Sequence, residues 1–159
     1  MADKRDVMAA LIAKLEAEHA ALVAKARDAA RAATHEEARP ENDKDTRAIE
    51  ASYLARGQAA RVEELGETIT RLRFVELKDR RGAPAEPGCL VELEADGEAG
   101  TYFLLPVGGG EILDVDGLAV RTLTPAAPLG RALVGKRPGD DFELRVGKTL
   151  RELVVLTVR

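Results

Sequence analysis

The sequence predicts an α+β fold, in which an antiparallel coiled-coil helical hairpin is followed by a small antiparallel sheet domain with one short helix. Two observations carry this prediction: apolar residues recur at helical spacing through residues 1–77, and the apolar period changes to two after residue 88. The stretch between them, 78–88, is rich in Pro, Gly and charged residues, as linkers are. We therefore expect a hairpin over 1–77, a linker over 78–88 and a second domain over 89–159.

The helical half carries an apolar series that is mirrored about residue 40. The outgoing series is Met8, Leu11, Leu15, Leu22, Ala26, Ala29 and Ala33, and the returning series is Ala48, Ala51, Ala55, Val62, Leu65, Ile69 and Leu72. Antiparallel pairing of the two series places the fold-back near Pro40, and two helices of about 30 residues would form a rod about 45 Å long. The seam residues have large side chains near the ends of the hairpin and are almost all Ala toward the tip. A thin distal rod suits insertion into a narrow opening; an Ala-rich hairpin that simply dimerises is the alternative.

The second half has strand-like alternation interrupted by one helical stretch. The predicted strands are Cys89 to Glu94, Thr101 to Leu105, Glu111 to Val115, Ala119 to Thr124, Phe142 to Val146 and Leu150 to Val158. The predicted helix runs from Ala127 to Val134, with Pro128 in its first turn and Gly135 at its C-terminal stop.

Composition excludes several classes of function. The net charge of −4 argues against nucleic acid as the main partner, and aromatic residues at 3% with no Trp argue against base-stacking platforms. A lone Cys89 excludes a disulfide framework and a cysteine zinc site. Neither a signal peptide nor a membrane-spanning run is recognisable, so we expect a cytoplasmic protein without a membrane partner. A seam satisfied within one chain favours a monomer.

Candidate functional residues lie at the tip of the hairpin. No catalytic triad or phosphate-binding loop is recognisable, so we expect no enzyme activity of the chain itself. The acidic residues of the tip are Glu36, Glu37, Glu41, Asp43 and Asp45. Such carboxylates can supply part of a Mg²⁺ coordination sphere that another protein completes. The alternative is structural, because acidic residues favour a helix N-terminus and Asn42 or Asp43 would serve as an N-cap.

The rod also carries basic residues, and His19 near the seam is expected to pack or to form a hydrogen bond rather than to act as a base. The basic residues are Lys25, Arg27, Arg31, Arg47, Arg56 and Arg61. They either pair with neighbouring acids in solvent or contact nucleic-acid phosphates, with Arg27, Arg31 and Arg47 as the nucleic-acid-proximal candidates.

The chain resembles the bacterial Gre-type transcription elongation factors. The layout of a long helical hairpin with an acidic tip, followed by a small sheet domain, is similar to that of the family. The segment 124–136 (TPAAPLGRALVGK) is similar to the family's S-P-[IL]-[AG]-R-[AG]-L-[IL]-G-K segment, and Pro138-Gly139-Asp140 is similar to the G-D turn that follows it. The resemblance implies an FKBP-like second domain that docks on RNA polymerase, with Arg131 and Lys136 as partner-binding residues. It also implies a coiled coil that enters the polymerase secondary channel, close to the nascent RNA.

At the tip, the resemblance implies that Glu41, Asp43 and Asp45 have a catalytic role: they would help to hold a Mg²⁺ shared with the polymerase, which then cleaves its backtracked transcript. The family's cleavage factors carry Asp, then Glu three residues later, then Asn. Matching Glu41-Asn42 to Glu-Asn leaves Ala38 at the Asp position. A register taken from Arg61-Val62 puts Glu41 at the Asp position and Lys44 at the Glu position.

Since neither register retains both acids, a non-cleaving regulator or inhibitor of the secondary channel is the alternative function. A prolyl isomerase, suggested by the FKBP-like domain, ranks last. Isomerase pockets of that fold are lined by aromatic rings, and this domain offers Tyr102, Phe103 and Phe142.

Overall fold

A computed structural model describes the backbone of residues 2–37 and 44–159, with all of their side chains except those of 33–37, 44–48 and 51. The helices are α1 (Lys4–Glu37), α2 (Lys44–Arg73) and α3 (Pro128–Leu133). The strands are β1 (Leu90–Ala95), β2 (Glu98–Leu104), β3 (Ile112–Val115), β4 (Leu118–Leu123), β5 (Asp141–Val146) and β6 (Thr149–Val158). Two long helices followed by six strands and one short helix confirm the predicted fold class.

Contacts within the chain define two compact units. One comprises Ala13–Thr70, and the other comprises Met1–Ile12 together with Arg71–Arg159. The first and last turns of the helical segment therefore belong to the same unit as the sheet. The boundaries at residues 77 and 88 come from changes in sequence pattern rather than from contacts, and they stay predictions.

The helical unit has its apolar residues on the predicted seam. Leu15, Ala29 and Ile69 are buried, and the half-buried seam positions are Leu22, Ala26, Ala55, Val62 and Leu65. His19 packs against the backbone of the returning helix, since a β-carbon added to Gly66 would lie 3.5 Å from its Nε2 atom. His19 is thus a packing residue, as expected.

The sheet has the strand order β3-β4-β2-β1-β6-β5, and four of its five strand pairs are antiparallel. The exception is the parallel pair of β2 and β4, in which Thr101 lies opposite Val120. The turn at Asp116-Gly117 reverses the chain between β3 and β4, so β4 runs in the direction of β2 when it pairs with it. The sheet is therefore mixed, whereas the sequence predicted an antiparallel one.

One cluster of core residues in the sheet unit lies on the face that carries α3. Its members include Val91, Leu93, Leu104, Leu133 and Val155, each at most 1% exposed. Tyr102, Leu129 and Phe142 pack at its margin. The alternating burial of β4 follows the period-two pattern that predicted this strand.

Candidate functional site

The predicted metal-supporting residues lie where the two long helices are joined. Glu41 and Asp43 fall in 38–43, outside the described residues, and Asp45 is the second residue of α2 with its side chain outside them. A carboxylate in the first turn of a helix is stabilised by the helix dipole whether or not it also meets a metal. The roles of Glu41, Asp43 and Asp45 stay predictions.

The tip carries carboxylates, a donor type that Mg²⁺ accepts. Carboxylate oxygens are ligands that Mg²⁺ takes, with water and substrate phosphate completing its octahedral shell. Within residues 2–37 and 44–159, no group of three or more His, Cys, Asp or Glu side chains is placed to hold a metal. The described part of the chain thus offers no complete site of its own.

The basic residues of the rod that are candidates for nucleic-acid contact lie on both long helices. Arg27 and Arg31 are exposed on α1 and lie four residues apart, so they share one side of that helix. Arg47 is in the first turns of α2, and its side chain is outside the description. The exposed pair on α1 is available to a phosphate backbone, and contact with nucleic acid stays a prediction.

The segment that resembles the Gre factors forms α3 and the turn that follows it. Leu133 is fully buried and Leu129 packs against the core, so both leucines maintain the fold. Arg131 is exposed, and its guanidinium donates a hydrogen bond of 3.3 Å to the carbonyl of Ala126. Lys136 is half-buried, with its Nζ atom 5.6 Å from the centre of the Phe142 ring. Arg131 is therefore presented to solvent more openly than Lys136.

Close backbone contact explains the glycine within this segment. A β-carbon added to Gly130 would lie 2.0 Å from the carbonyl oxygen of Thr124, a separation that no side chain can tolerate. After the helix, Gly135 has a φ of 85° and donates to the carbonyl of Ala85, while Lys136 accepts from the amide of Ala85. These backbone bonds fix α3 and its following turn to the linker.

The Gly-Asp turn is also structural. Asp140 accepts a hydrogen bond of 2.8 Å from the amide of Arg137 through its carboxylate. Gly139, with a φ of 90°, donates its amide to the carbonyl of Val155. These two hydrogen bonds fix the turn that leads into β5.

A groove of about 950 Å³ lies on the part of the sheet face that α3 leaves open. Tyr102 and Leu129 line it, together with the apolar residues of β5 nearest the turn to β6. Of the other two aromatic residues of this domain, Phe103 is fully buried and Phe142 packs against the core. One aromatic ring does not build the pocket that a prolyl isomerase needs, so the structure gives this function no support.

The N-terminus of α1 is fixed to the linker through a lysine. Lys4 donates from Nζ to the carbonyls of Lys78 and Gly88, the second bond being 3.1 Å long. Partial burial lowers the pKa of Lys4 below its usual value, because desolvation disfavours the charged form. The two carbonyl bonds tie the first turn of α1 to the segment 78–88.

One exposed feature of the rod was not predicted. Ile49 and Tyr53 lie four residues apart on α2 and are 55% and 66% exposed. Sequence reasoning missed them because it assigned the apolar residues of α2 to the Ala and Leu seam. The signal was present as an i, i+4 apolar pair out of register with that seam.

Comparison with known proteins finds a similar sequence among transcription elongation factors. Over 99 residues it is 29% identical to the transcription elongation factor GreA of Syntrophobacter fumaroxidans, a match that covers 62% of this chain and 61% of that protein. The chain thus spans about three fifths of the length of this relative. No protein-family model matches the chain.

Several solved structures also resemble this chain. The Gfh1 protein of Thermus thermophilus, a GreA factor homolog, is 22% identical with a TM-score of 0.39, over 93% of this chain and 94% of that one. Gfh1 of Thermus aquaticus is 22% identical with a TM-score of 0.41, over 92% of each chain. The GreA/GreB factor of Nitrosomonas europaea is 18% identical with a TM-score of 0.39, over 59% and 77%. At TM-scores this low, these likenesses carry no conclusion about function.

Among the residues that the structure describes, no helix has the length and hydropathy needed to cross a bilayer. The sequence match to GreA joins the observations already made on the hairpin, the sheet and the α3 segment. On these grounds, the chain resembles the Gre factors.

Proposed function

We propose that this chain is a transcription elongation factor that binds RNA polymerase and stimulates cleavage of the backtracked transcript. The observation that carries the proposal is the match to GreA over 99 residues. The fold supports it, because helices of 34 and 30 residues approach an acidic connection from both sides. The rod enters the secondary channel tip first, and the sheet domain docks outside through Arg131 and Lys136.

At the tip, the carboxylate oxygens of Glu41, Asp43 and Asp45 would coordinate a Mg²⁺ that the polymerase also holds. The ion supplies activation of water and stabilisation of charge on the scissile phosphate. The role of the chain is to bring carboxylate oxygens to the ion and to keep them oriented. The chain is then a protein cofactor for the active site of the polymerase rather than an enzyme, and it acts in the cytoplasm as a monomer.

Arg27 and Arg31 lie on α1 before the acidic residues of the tip, and Arg47 follows those residues in α2. Cations there offset the repulsion between tip carboxylates and RNA phosphates, and they bring the nascent RNA and the tip together. The exposure of Arg27 and Arg31 supports this part of the proposal.

The second candidate function is a secondary-channel regulator that inhibits or remodels the polymerase without cleavage. The observation that favours it is the altered tip, in which Ala38 or Lys44 occupies a position where the cleavage factors carry an acid. In this case the acidic tip occupies the channel and competes for Mg²⁺ without completing the site.

The deciding experiment uses stalled, backtracked RNA polymerase with end-labelled RNA and Mg²⁺. The proposal predicts shortened, re-extendable RNA with the wild-type protein and none with a Glu41→Ala, Asp43→Ala, Asp45→Ala variant. The matched control removes three exposed carboxylates of α2 far from the tip (Glu63→Ala, Glu64→Ala and Glu67→Ala) and should cleave like the wild type. Wild-type protein that blocks the channel but shortens no RNA would establish the non-cleaving regulator instead.

A further inference from the structure

An exposed stripe on α2 faces away from the seam of the hairpin. Its members are Ile49, Tyr53, Arg56 and Ala60, which lie four, three and four residues apart and so return to the same side of the helix. The half-buried seam residues Ala55 and Val62 lie on the opposite side. The hairpin therefore does not use this stripe to hold itself together.

The centre of the stripe is an aromatic ring beside a cation. The Tyr53 side chain is 66% exposed, and the guanidinium carbon of Arg56 lies 5.7 Å from the centre of its ring. One turn further on, Gly57 has no side chain, and a β-carbon added there would meet nothing within 4 Å. A flat group can thus approach the tyrosine without meeting a side chain at that position.

Charge around the stripe differs from that of the whole chain. The distal rod, residues 22–32 and 49–61, has five basic and two acidic residues, although the chain has a net charge of −4. The basic residues are Lys25, Arg27, Arg31, Arg56 and Arg61, all exposed. A ligand with negative charge and a planar apolar part fits this surface.

The small size of the stripe distinguishes between possible ligands. One aromatic and one aliphatic side chain offer a few hundred Å² at most, compared with about 800 Å² per partner in a stable protein interface. A nucleobase is of the right size, and stacking of bases on exposed aromatic rings does not require a pocket. The low aromatic content, which argues against a platform of several rings, is compatible with a single stacking contact.

We propose that Tyr53, supported by Arg56, stacks on an unpaired base of single-stranded RNA, while the surrounding arginines contact its phosphates. The inference rests on the proposed function, because the transcript of a backtracked polymerase is the RNA that the distal rod would meet. It assigns to the rod a contact with the bases, in addition to the tip and its carboxylates.

The test measures binding of the full-length protein to a fluorescein-labelled uridine decamer by anisotropy at low salt, without polymerase. Tyr53→Ala should weaken binding about 5-fold or more, as loss of one stacked base does. Tyr53→Phe keeps the ring and should stay within about twofold of the wild type. Leu54→Ala is the matched control, since Leu54 is 57% exposed but lies off the stripe.

Two results would overturn the inference while leaving the proposed function intact: a wild-type protein that does not bind the decamer, or a Tyr53→Ala variant that binds it equally well. A Tyr53→Ala variant that keeps its RNA affinity but loses affinity for polymerase free of RNA would assign the stripe to a protein contact. The proposed function fails separately, if the wild-type protein does not bind polymerase at all.

Discussion

Replacing Gly130 with Ala tests the close packing of α3 on the strand before it. The added β-carbon would lie 2.0 Å from the carbonyl oxygen of Thr124, whereas real contacts of this kind stay above 3.0 Å. The obstacle is backbone, and the same oxygen accepts a hydrogen bond from the amide of Ala127. A shift of the Thr124 carbonyl by about 1 Å away from residue 130 would break this hydrogen bond and displace Leu133 from the core. Overpacking at such a site should cost about 3 kcal/mol or more.

The matched control is Gly57→Ala in the exposed part of α2. An added β-carbon meets nothing within 4 Å there, so the methyl group brings only better helix propensity, about 0.5–1 kcal/mol in favour of the folded state. The same chemical change should therefore have opposite signs at the two positions.

The assay is urea unfolding, followed by tyrosine fluorescence in a Tyr53→Phe background. With no Trp in the chain, Tyr102 is then the remaining reporter, and it lies on the sheet. Gly130→Ala should also lower the melting temperature by about 10 °C or more. If Gly130→Ala is as stable as the wild type, α3 does not approach Thr124 as described, and the placement of Arg131 loses its support.

Two further local contacts can be tested by substitution. Thr122→Val should lower the free energy of unfolding, measured in urea, by about 1–3 kcal/mol. The reason is that the buried hydroxyl donates to the Gly108 carbonyl at 2.6 Å and accepts from the Glu111 amide at 3.0 Å. Thr122→Ser keeps the hydroxyl and should retain most of this stability, whereas a Val variant as stable as the wild type would contradict the two bonds. Hydrogen bonds from Arg81 hold the pKa of Asp79 below the ordinary aspartate value, and Arg81→Gln should raise its titration midpoint, measured by nuclear magnetic resonance. Because the folded-state pKa is the lower one, any stabilisation from this pair is present above the unfolded-state pKa and disappears as the pH falls through the folded-state pKa. An unchanged midpoint in Arg81→Gln would refute the contact.

Periodicity was sufficient to predict the elements of the fold. The helical seam and the six strands all follow from spacing, because burial on one face imposes a period on the sequence. Strand order does not follow from period. The parallel pairing of β2 with β4 depends on how the chain passes from Leu105 to Glu111 and then reverses at Asp116-Gly117, and period-two patterns are the same in parallel and antiparallel edges.

The candidate site was less accessible to prediction. Acidic composition identified the tip, but the separation between carboxylates depends on the conformation of the connection, which spacing does not determine. The Tyr53 stripe could be found only once burial distinguished it from the seam. In the α3 segment, the contact between Gly130 and Thr124 required coordinates.

The central claim is that the tip of the rod reaches the active site of RNA polymerase. An iron chelate attached to an Asp43→Cys variant generates hydroxyl radicals that cut nearby protein and RNA. Cys89 is fully buried, so the wild-type protein treated with the same reagent is the control. The account predicts cuts in the polymerase segments around the catalytic Mg²⁺ and in the backtracked RNA. Cuts confined to the outer surface of the polymerase, or none above the control, would contradict it.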